Sequence, residues 1–183
     1  MHTYVSMLRG INVSGQKMIR MEELRKAYDS LGFESARSYL QSGNVVFEYS
    51  GEDASTIRSM IENQLRRSFG YDVLVFTRTK DELQGLVESN PFVGKDDSKL
   101  HVTFLSEEPT GFPTEEVNKA RQGTEEFSSR GREIYLFCPN GYGNTKLSNN
   151  FFERKLKASA TTRNWRTVNA LLSMANGTEE RDT

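Results

Sequence analysis

The order of the apolar segments limits the possible folds of this chain more than any other sequence feature. Over residues 3–78, short β-prone runs and segments of helical periodicity follow one another as strand, helix, strand, strand, helix, strand. This is the order of the split βαβ unit, which is called the ferredoxin-like fold or α–β plait. The first part of the chain is therefore predicted to form one such subdomain.

Turn and cap residues mark the boundaries of these segments. Gly32 follows the last periodic residue of the first helix and is expected to end it. Ser42 and Gly43 separate two short strand-like runs, which predicts a tight turn between paired strands. Asp53 is placed to cap a second helix that ends near Gly70.

The second half of the chain nearly repeats this order, a pattern that we interpret as a duplication. Its segments read as strand, helix, strand, strand, helix, but no final strand is evident, and a last helix from Thr162 to about residue 175 takes its place. We therefore predict an α+β protein of two consecutive ferredoxin-like subdomains, the second without a clear last strand, plus a C-terminal helix. The predicted boundaries are residues 1–79 for the first plait, 80–98 for a bridging helix and loop, 99–175 for the second plait with the C-terminal helix, and 176–183 for a frayed tail.

Composition excludes several classes of protein. Cys138 is the one cysteine among 183 residues, so neither an intramolecular disulfide nor a cysteine-based zinc site can form. The N-terminus lacks the basic flank and apolar stretch of a signal peptide, and no apolar run approaches the ~18 residues of a membrane span. We expect a cytoplasmic protein with no membrane partner, no metal and no cofactor, and we leave its oligomeric state open.

The formal net charge of −1 hides a segregation of charge along the chain. Residues 81–133 carry 12 acidic and 6 basic side chains, whereas residues 134–170 carry 6 basic side chains and one acidic. Charge runs are usually solvated surfaces. The alternative is an anion site in the basic C-terminal segment, which also holds Trp165 and several small hydroxyl residues.

Two loops favour the anion site. Residues 138–148 lead from a strand into a helix through two glycines and Lys146, which allows backbone N–H groups to face an anion. Residues 160–166 place Arg163 and Asn164 in what reads as the first turn of the last helix. A cation there opposes the helix dipole, and a bound anion would remove that conflict.

Constellations typical of enzymes are scarce. His101 is expected to be a satisfied structural histidine, and Cys138 an inert buried thiol at the end of an apolar strand. Ser42 beside Gly43 lacks an identifiable general base, so a turn is the favoured interpretation. The catalytic residues, if there are any, are left unassigned.

Several sequence blocks resemble those of a known family. The blocks are Leu8-Arg9-Gly10-Ile11-Asn12-Val13, Leu31-Gly32-Phe33, Tyr39-Leu40-Gln41-Ser42-Gly43-Asn44-Val45-Val46-Phe47, Thr145-Lys146-Leu147-Ser148-Asn149, Phe151-Phe152-Glu153-Arg154-Lys155 and Ala160-Thr161-Thr162-Arg163-Asn164-Trp165. They resemble an uncharacterised bacterial "domain of unknown function" family whose members open with a Leu-Arg-Gly-Ile-Asn-Val-Gly-Gly segment. The resemblance implies two consecutive α–β plaits and no established activity, so it assigns no catalytic residue. Ser14 departs from the pattern, which usually has Gly there.

The predicted binding residues are polar residues in loops, turns and helix starts, where core packing does not explain them. They are Arg9, Asn12, Lys17, Ser42, Asn44, Lys146, Thr161, Thr162, Arg163 and Asn164. We predict that they line a polar inter-domain cleft for a phosphate-bearing small molecule or a nucleic acid. The cations Arg9, Lys17, Lys146 and Arg163 would contact the anion, and Asn12 and Asn44 would orient the ligand. The alternatives are an enzyme that acts on a small anionic metabolite through a carboxylate or a lysine, and a structural or protein-interaction module.

Overall fold

Two four-stranded antiparallel sheets and six α-helices make up the described part of the structure, a computed structural model that describes residues 1–178. The chain divides into two compact units. The first unit contains Met1–Gly85 together with the C-terminal residues from Ala170, and the second contains Leu86–Asn169. The fold is therefore a mixed α+β fold, as predicted.

The first unit is built on a sheet with the strand order β2-β3-β1-β4. Its elements are β1 (His2–Leu8), α1 (Met21–Asp29), β2 (Glu34–Tyr39), β3 (Asn44–Tyr49), α2 (Ala54–Phe69) and β4 (Val75–Thr79), after which α3 (Lys80–Glu88) follows. The predicted turn at Ser42 and Gly43 is confirmed, with Tyr39 of β2 opposite Asn44 of β3 on its two sides. β4 begins two residues later than the apolar run from Val73 indicates.

The second unit has a sheet with the equivalent order β6-β7-β5-β8. Its elements are β5 (Leu100–Leu105), α4 (Thr114–Ala120), β6 (Glu126–Arg130), β7 (Glu133–Phe137), α5 (Asn149–Leu156) and β8 (Ala160–Asn164), and α6 (Trp165–Ala175) follows directly. The first three strands of the order predicted for this half are β5 and the two strands of the β6–β7 hairpin, which turns at Gly131.

The predicted absence of a last strand in the second half is wrong. Ala160–Asn164 form β8, which pairs antiparallel with β5 and places Thr162 opposite Thr103. The β-branched pair Thr161 and Thr162 suits a strand as well as a helix cap. The helix begins later because Asn164 Oδ1 accepts a hydrogen bond from the Thr167 N–H at 2.8 Å, so Asn164 caps α6.

The two units repeat a polar motif on their central and last strands. Ser6 lies opposite Thr77 in the first unit, as Thr103 lies opposite Thr162 in the second. The next residue of each last strand is an arginine whose guanidinium donates to the preceding carbonyl oxygen, Arg78 to Thr77 at 2.8 Å and Arg163 to Thr162 at 3.0 Å. The repeat in element order thus extends to individual residues and their hydrogen bonds.

An aromatic cluster forms the centre of the first core. Phe47, which is fully buried on β3, stacks on Phe33 with a centroid distance of 4.5 Å and on Tyr4 at 5.7 Å. The ring of Tyr28 on α1 meets it edge-on at 5.4 Å. The Tyr28 hydroxyl is hydrogen-bonded to Ser6 Oγ at 2.7 Å, so the one polar atom of this buried ring is satisfied.

Within residues 1–178, none of the helices is both long enough and apolar enough to cross a membrane.

Of the predicted frayed tail, residues 179–183 lie outside the described residues. The three residues before them extend from α6, with the Gly177 N–H bonded to the Met174 carbonyl at 3.1 Å and the Thr178 N–H to that of Ser173 at 3.0 Å.

The cap of α2 predicts a pH dependence of stability. Hydrogen bonds from the Thr56 hydroxyl and from the Ser55 and Thr56 N–H groups to the Asp53 carboxylate hold the pKa of Asp53 below its usual range. A lowered folded pKa stabilises the protein above the unfolded pKa of about 3.9, and this contribution is lost as the pH falls through the folded pKa. We therefore expect Asp53→Ala to lower the melting temperature near neutral pH and this difference to shrink in acid.

The matched control is Asp29→Ala, at the exposed last residue of α1. It should show no comparable loss at neutral pH. Asp53→Asn separates charge from cap, because Asn also caps helices well. A loss for Asp53→Ala that is the same at neutral and acidic pH would contradict the assignment of the effect to the carboxylate.

Candidate functional site

The predicted binding residues divide equally between the two units. Arg9, Asn12, Lys17, Ser42 and Asn44 belong to the first unit, and Lys146, Thr161, Thr162, Arg163 and Asn164 belong to the second. In the first unit all five lie on or beside three loops at one end of the sheet, where β1 ends and β3 and β4 begin. We call residues 9–20, 40–43 and 70–74 the strand-end loops.

Hydrogen bonds join the strand-end loops to one another. The Arg9 N–H donates to the Leu74 carbonyl at 3.0 Å, and Lys17 Nζ donates to the Asp72 carbonyl at 2.5 Å. Asn12 Nδ2 donates to the Gln41 carbonyl at 2.7 Å. The first loop is therefore bonded to both of the others.

The side chain of Asn12 is the central connection. Besides its bond to Gln41, Nδ2 donates to the Ile19 carbonyl at 3.0 Å, and Oδ1 accepts from the Ile19 N–H at 2.7 Å. The Asn12 N–H in turn donates to the Lys17 carbonyl at 3.1 Å. Asn12 thus closes the first loop on itself and fastens it to the turn between β2 and β3.

Close packing also holds the turn at residues 40–43 in place. Gly43 has φ +82°, and a Cβ atom there would lie 2.6 Å from Ile11 Cδ1 and 3.0 Å from Leu8 Cβ. There is no room for a Cβ atom at position 43, so this position requires glycine. The fully buried Asn44 donates from Nδ2 to the Tyr39 carbonyl at 2.8 Å and to Ser42 Oγ at 3.1 Å, which holds the turn from its other side.

The loops contain an unusual number of residues other than glycine with positive φ. Asn12, Ser14, Lys17 and Leu40 have φ values of 54°, 51°, 45° and 59°. Ser14 and Gly15 occupy the two central positions of a turn closed by the Gln16 N–H on the Val13 carbonyl at 2.9 Å, and positive φ at both is the signature of a type I′ turn. Leu40 is the first residue of the turn between β2 and β3, where its carbonyl accepts from the Gly43 N–H at 3.4 Å, and a left-handed conformation is unfavourable for leucine.

Exposed apolar side chains concentrate on the same loops. Val13, Met18, Leu40 and Leu74 are 57%, 58%, 54% and 44% exposed, and they make up four of the six large hydrophobic side chains that are exposed among residues 1–178. Basic residues flank them, namely the half-buried Arg9 and Lys17 and the exposed Arg20. Asp72 is the acidic residue of these loops, and its carboxylate accepts from Arg66 Nε on α2 at 2.6 Å. The result is a rigid surface that presents apolar side chains among cations.

In the second unit, strand alternation separates the predicted residues. Because successive side chains of a strand point to opposite faces, Thr161 and Arg163 lie on one face of β8, and Thr162 and Asn164 lie on the other. Lys146 is exposed in the loop before α5. The dipole argument for Arg163 is wrong, since this residue is in a strand rather than in the first turn of a helix.

Arg163 is held within its own strand. Its guanidinium donates to Thr161 Oγ1 at 2.8 Å as well as to the Thr162 carbonyl, and burial lowers the pKa of Arg163 to about 10. At neutral pH the guanidinium therefore remains charged.

Thr162 is the centre of a hydroxyl network. Its Oγ1 donates to Asn149 Oδ1 at 2.7 Å, so the Thr103 hydroxyl at 2.8 Å and the Tyr142 hydroxyl at 3.1 Å must both donate to it. The ring of Tyr142 also stacks on His101 at 4.9 Å. The network satisfies the hydroxyl of Thr162 completely, which indicates a structural role for this predicted ligand.

Cys138 and His101, which are expected to have structural roles, both lie in the second unit. Cys138 is fully buried, and burial raises the pKa of its thiol to about 11, as expected for an inert cysteine. Burial also lowers the pKa of His101, and its Nδ1 is buried without a hydrogen-bond partner among residues 1–178. Within the same residues, His, Cys, Asp and Glu side chains form no group of three or more that could hold a metal ion.

Sequence reasoning missed the apolar part of the strand-end loops. The prediction was restricted to polar residues, so it did not include Val13, Met18, Leu40 and Leu74. Leu40 carried a usable signal, since it directly precedes the polar turn segment Gln41-Ser42-Gly43. Tyr142 and Asn149 were also missed, because both contact Thr162, which lies in β8, and the sequence did not indicate that strand.

Comparison with known proteins agrees with the fold. A solved structure of the conserved bacterial protein SP0830 from Streptococcus pneumoniae is similar with a TM-score of 0.73 and 21% sequence identity, covering 95% of this chain and 98% of that chain. At this identity the likeness concerns the fold alone. No curated protein shows a significant match to the chain. A family model described as Protein of unknown function (DUF1697) matches residues 1–135, and the chain therefore belongs to this family.

Proposed function

We propose that the strand-end loops of the first unit bind a phosphate-bearing ligand, carried either by a small molecule or by a nucleic acid strand. The observation that carries the proposal is the joining of three loops into one rigid surface with cations and exposed apolar side chains. Preorganised loops lose little conformational entropy when a ligand binds. Phosphate oxygens are the natural partners of arginine and lysine on such a surface.

The backbone of the loops supports a binding role. Leu40 is 54% exposed and has φ +59°, so neither its burial nor its conformation accounts for its presence. Unfavourable conformations that the surrounding structure enforces concentrate at functional sites. The surface around Leu40 is thus a better candidate for function than for stability.

The proposal assigns different roles to the predicted residues. Arg9 and Lys17 contact the phosphate, while Asn12 and Asn44 act as positioning residues, since their side chains are bonded to the loops themselves. Ser42 Oγ, which accepts from Asn44, lies on the exposed turn within the same surface. That Lys146 and Arg163 line the same cleft stays a prediction.

The test is binding of a labelled single-stranded RNA of about 12 nucleotides, followed by fluorescence anisotropy at about 50 mM and about 200 mM salt. Competition with inorganic pyrophosphate and with ATP distinguishes a small phosphate ligand from a strand. Arg9→Ala and Lys17→Gln should each weaken binding about tenfold, the equivalent of one lost phosphate contact.

Lys119→Ala is the matched control, because Lys119 is an exposed cation on α4 of the second unit. The Lys119→Ala variant should bind the labelled RNA with the same affinity as the wild type. Leu40→Asn should weaken binding while raising the free energy of unfolding by about 1 kcal/mol, since asparagine tolerates the left-handed conformation better than leucine. The absence of binding to RNA, pyrophosphate and ATP at about 1 mM would refute the proposal, as would equal losses in Arg9→Ala and Lys119→Ala.

We also infer that the units are two α–β plaits, as the ferredoxin-like prediction states, with boundaries at residues 1–79 and 99–175. Support comes from the strand orders, in which the first and third strands of each unit are central and the second and fourth are at the edges. A cytoplasmic location belongs to the same proposal. The enzyme and the interaction module remain alternative predictions.

A further inference from the structure

The edge strands of the two sheets differ in how well they could pair with a further strand. These edge strands are β2, β4, β6 and β8. In β4 and β8 the leading residues are buried, which restricts access to these edges. β2 is more exposed, but its pairing with β3 shifts register between Glu34 and Arg37, where Ser35 has φ +54°. Such a bulge protects an edge from further pairing.

β6 has no such protection. It pairs with β7 in unbroken register over five residue pairs, from Glu126 with Phe137 to Arg130 with Glu133. Its first four residues are half-buried, and Arg130 is exposed. Among residues 1–178, β7 is the single strand paired with β6, so the outward N–H and C=O groups of β6 form an open edge. An open edge is a template for another strand.

The sequence of β6 is complementary to itself. In an antiparallel pair of two β6 strands centred on Ser128, Glu126 of each strand lies opposite Arg130 of the other. Two opposite-charge pairs therefore flank the centre, and opposite charges at directly opposed positions stabilise strand pairs. We propose that β6 pairs antiparallel with β6 of a second copy of this chain, which joins two second-unit sheets into one of eight strands.

The side chains of β6 are compatible with this partner. Phe127 points toward its own core and lies 5.8 Å from the ring of Phe112, so pairing does not require it to move. Glu126 lies on the opposite face, where its carboxylate already contacts Lys95 Nζ. In the pair, each Glu126 carboxylate would lie between Lys95 of its own chain and Arg130 of the second copy.

The dimer should be weak, because two five-residue strands bury much less area than the 1,200–2,000 Å² that is typical of stable interfaces (about 1,600 Å² on average). We expect sedimentation velocity to show monomer at about 5 μM and a growing dimer fraction toward about 1 mM. Arg130→Glu and Glu126→Arg should each weaken the dimer at least about tenfold, since like charges then face each other twice. The double variant E126R/R130E restores both pairs and should restore the dimer.

Cysteine substitution tests the register independently of charge. Ser128→Cys places two thiols opposite each other at the two-fold axis, within the ~4.4–6.8 Å Cα separation that a disulfide needs. Ser129→Cys is the matched control, because its Cα lies beyond this separation from its own copy in the same register. The single native cysteine, Cys138, is buried and does not interfere.

Crosslinking of the Ser128→Cys variant but not of the Ser129→Cys variant, together with the restored double variant, would support the pairing. A wild-type protein that is monomeric at about 1 mM and a Ser128→Cys chain that does not crosslink would overturn it. A dimer that is unchanged in Arg130→Glu, or that is not restored in the double variant, would also overturn it. Circular dichroism of each variant shows whether the fold is retained, and the cysteine test decides the question where a charge variant fails to fold.

Discussion

Replacing Phe47 by alanine is expected to lower the free energy of unfolding by about 3–5 kcal/mol, the largest loss that we expect from a single substitution in this protein. Phe47 is fully buried, and the centroid of its ring lies within 5.7 Å of the ring centroids of Tyr4, Tyr28 and Phe33. Removal of the ring takes away the burial of apolar area and the aromatic contacts together, and it leaves a cavity that a rigid sheet cannot close.

The measurement is urea unfolding followed by far-UV circular dichroism, with hydrogen exchange of the β3 amides as a local readout. Phe69→Ala is the matched control, because Phe69 is a partly buried phenylalanine of the same core at the last turn of α2. It should lose less than half as much. Equal losses for the two substitutions would show that the aromatic cluster is not the centre of the first core.

How far the sequence predicts this fold depends on whether the signals are local. α2 was predicted correctly at both ends because its cap Asp53 and its left-handed terminal residue Gly70 act on neighbouring backbone groups. β8 was not, since Thr161 and Thr162 suit a strand and a helix cap equally. Pairing with Thr103, 59 residues away from Thr162, decides between the two. No local pattern contains that information.

The candidate site shows the same division. Cations and turn residues identify the loops, because charge and glycine have local meanings in the sequence. The positions of the loops relative to one another depend on bonds such as that from Asn12 to Gln41, 29 residues apart. The exposed apolar residues of this surface could not be predicted for a further reason, since the presence of a leucine in the sequence does not show whether its side chain is exposed or buried.

The second large effect is expected for Asn12→Ala, which should lower the free energy of unfolding by about 2–3 kcal/mol. Three side-chain hydrogen bonds are lost, at about 1 kcal/mol each, and two carbonyl groups and one N–H group lose this partner. Alanine also tolerates the left-handed φ of +54° less well than asparagine. The free energy of unfolding and the protection of the Ile19 amide against hydrogen exchange are the measurements.

Asn118→Ala provides the comparison, since Asn118 is exposed on α4 and the substitution raises helix propensity. Its stability should equal or exceed that of the wild type. If Asn12 holds the first loop against the turn at Gln41, the Ile19 amide should lose protection in Asn12→Ala while the β5 amides keep theirs. The affinity for RNA or pyrophosphate should fall in parallel, because Arg9 and Lys17 then sample many positions instead of one. Full protection of Ile19 in Asn12→Ala would mean that packing of Ile11 on Gly43 is sufficient to hold the loop, and that Asn12 is not its positioning residue.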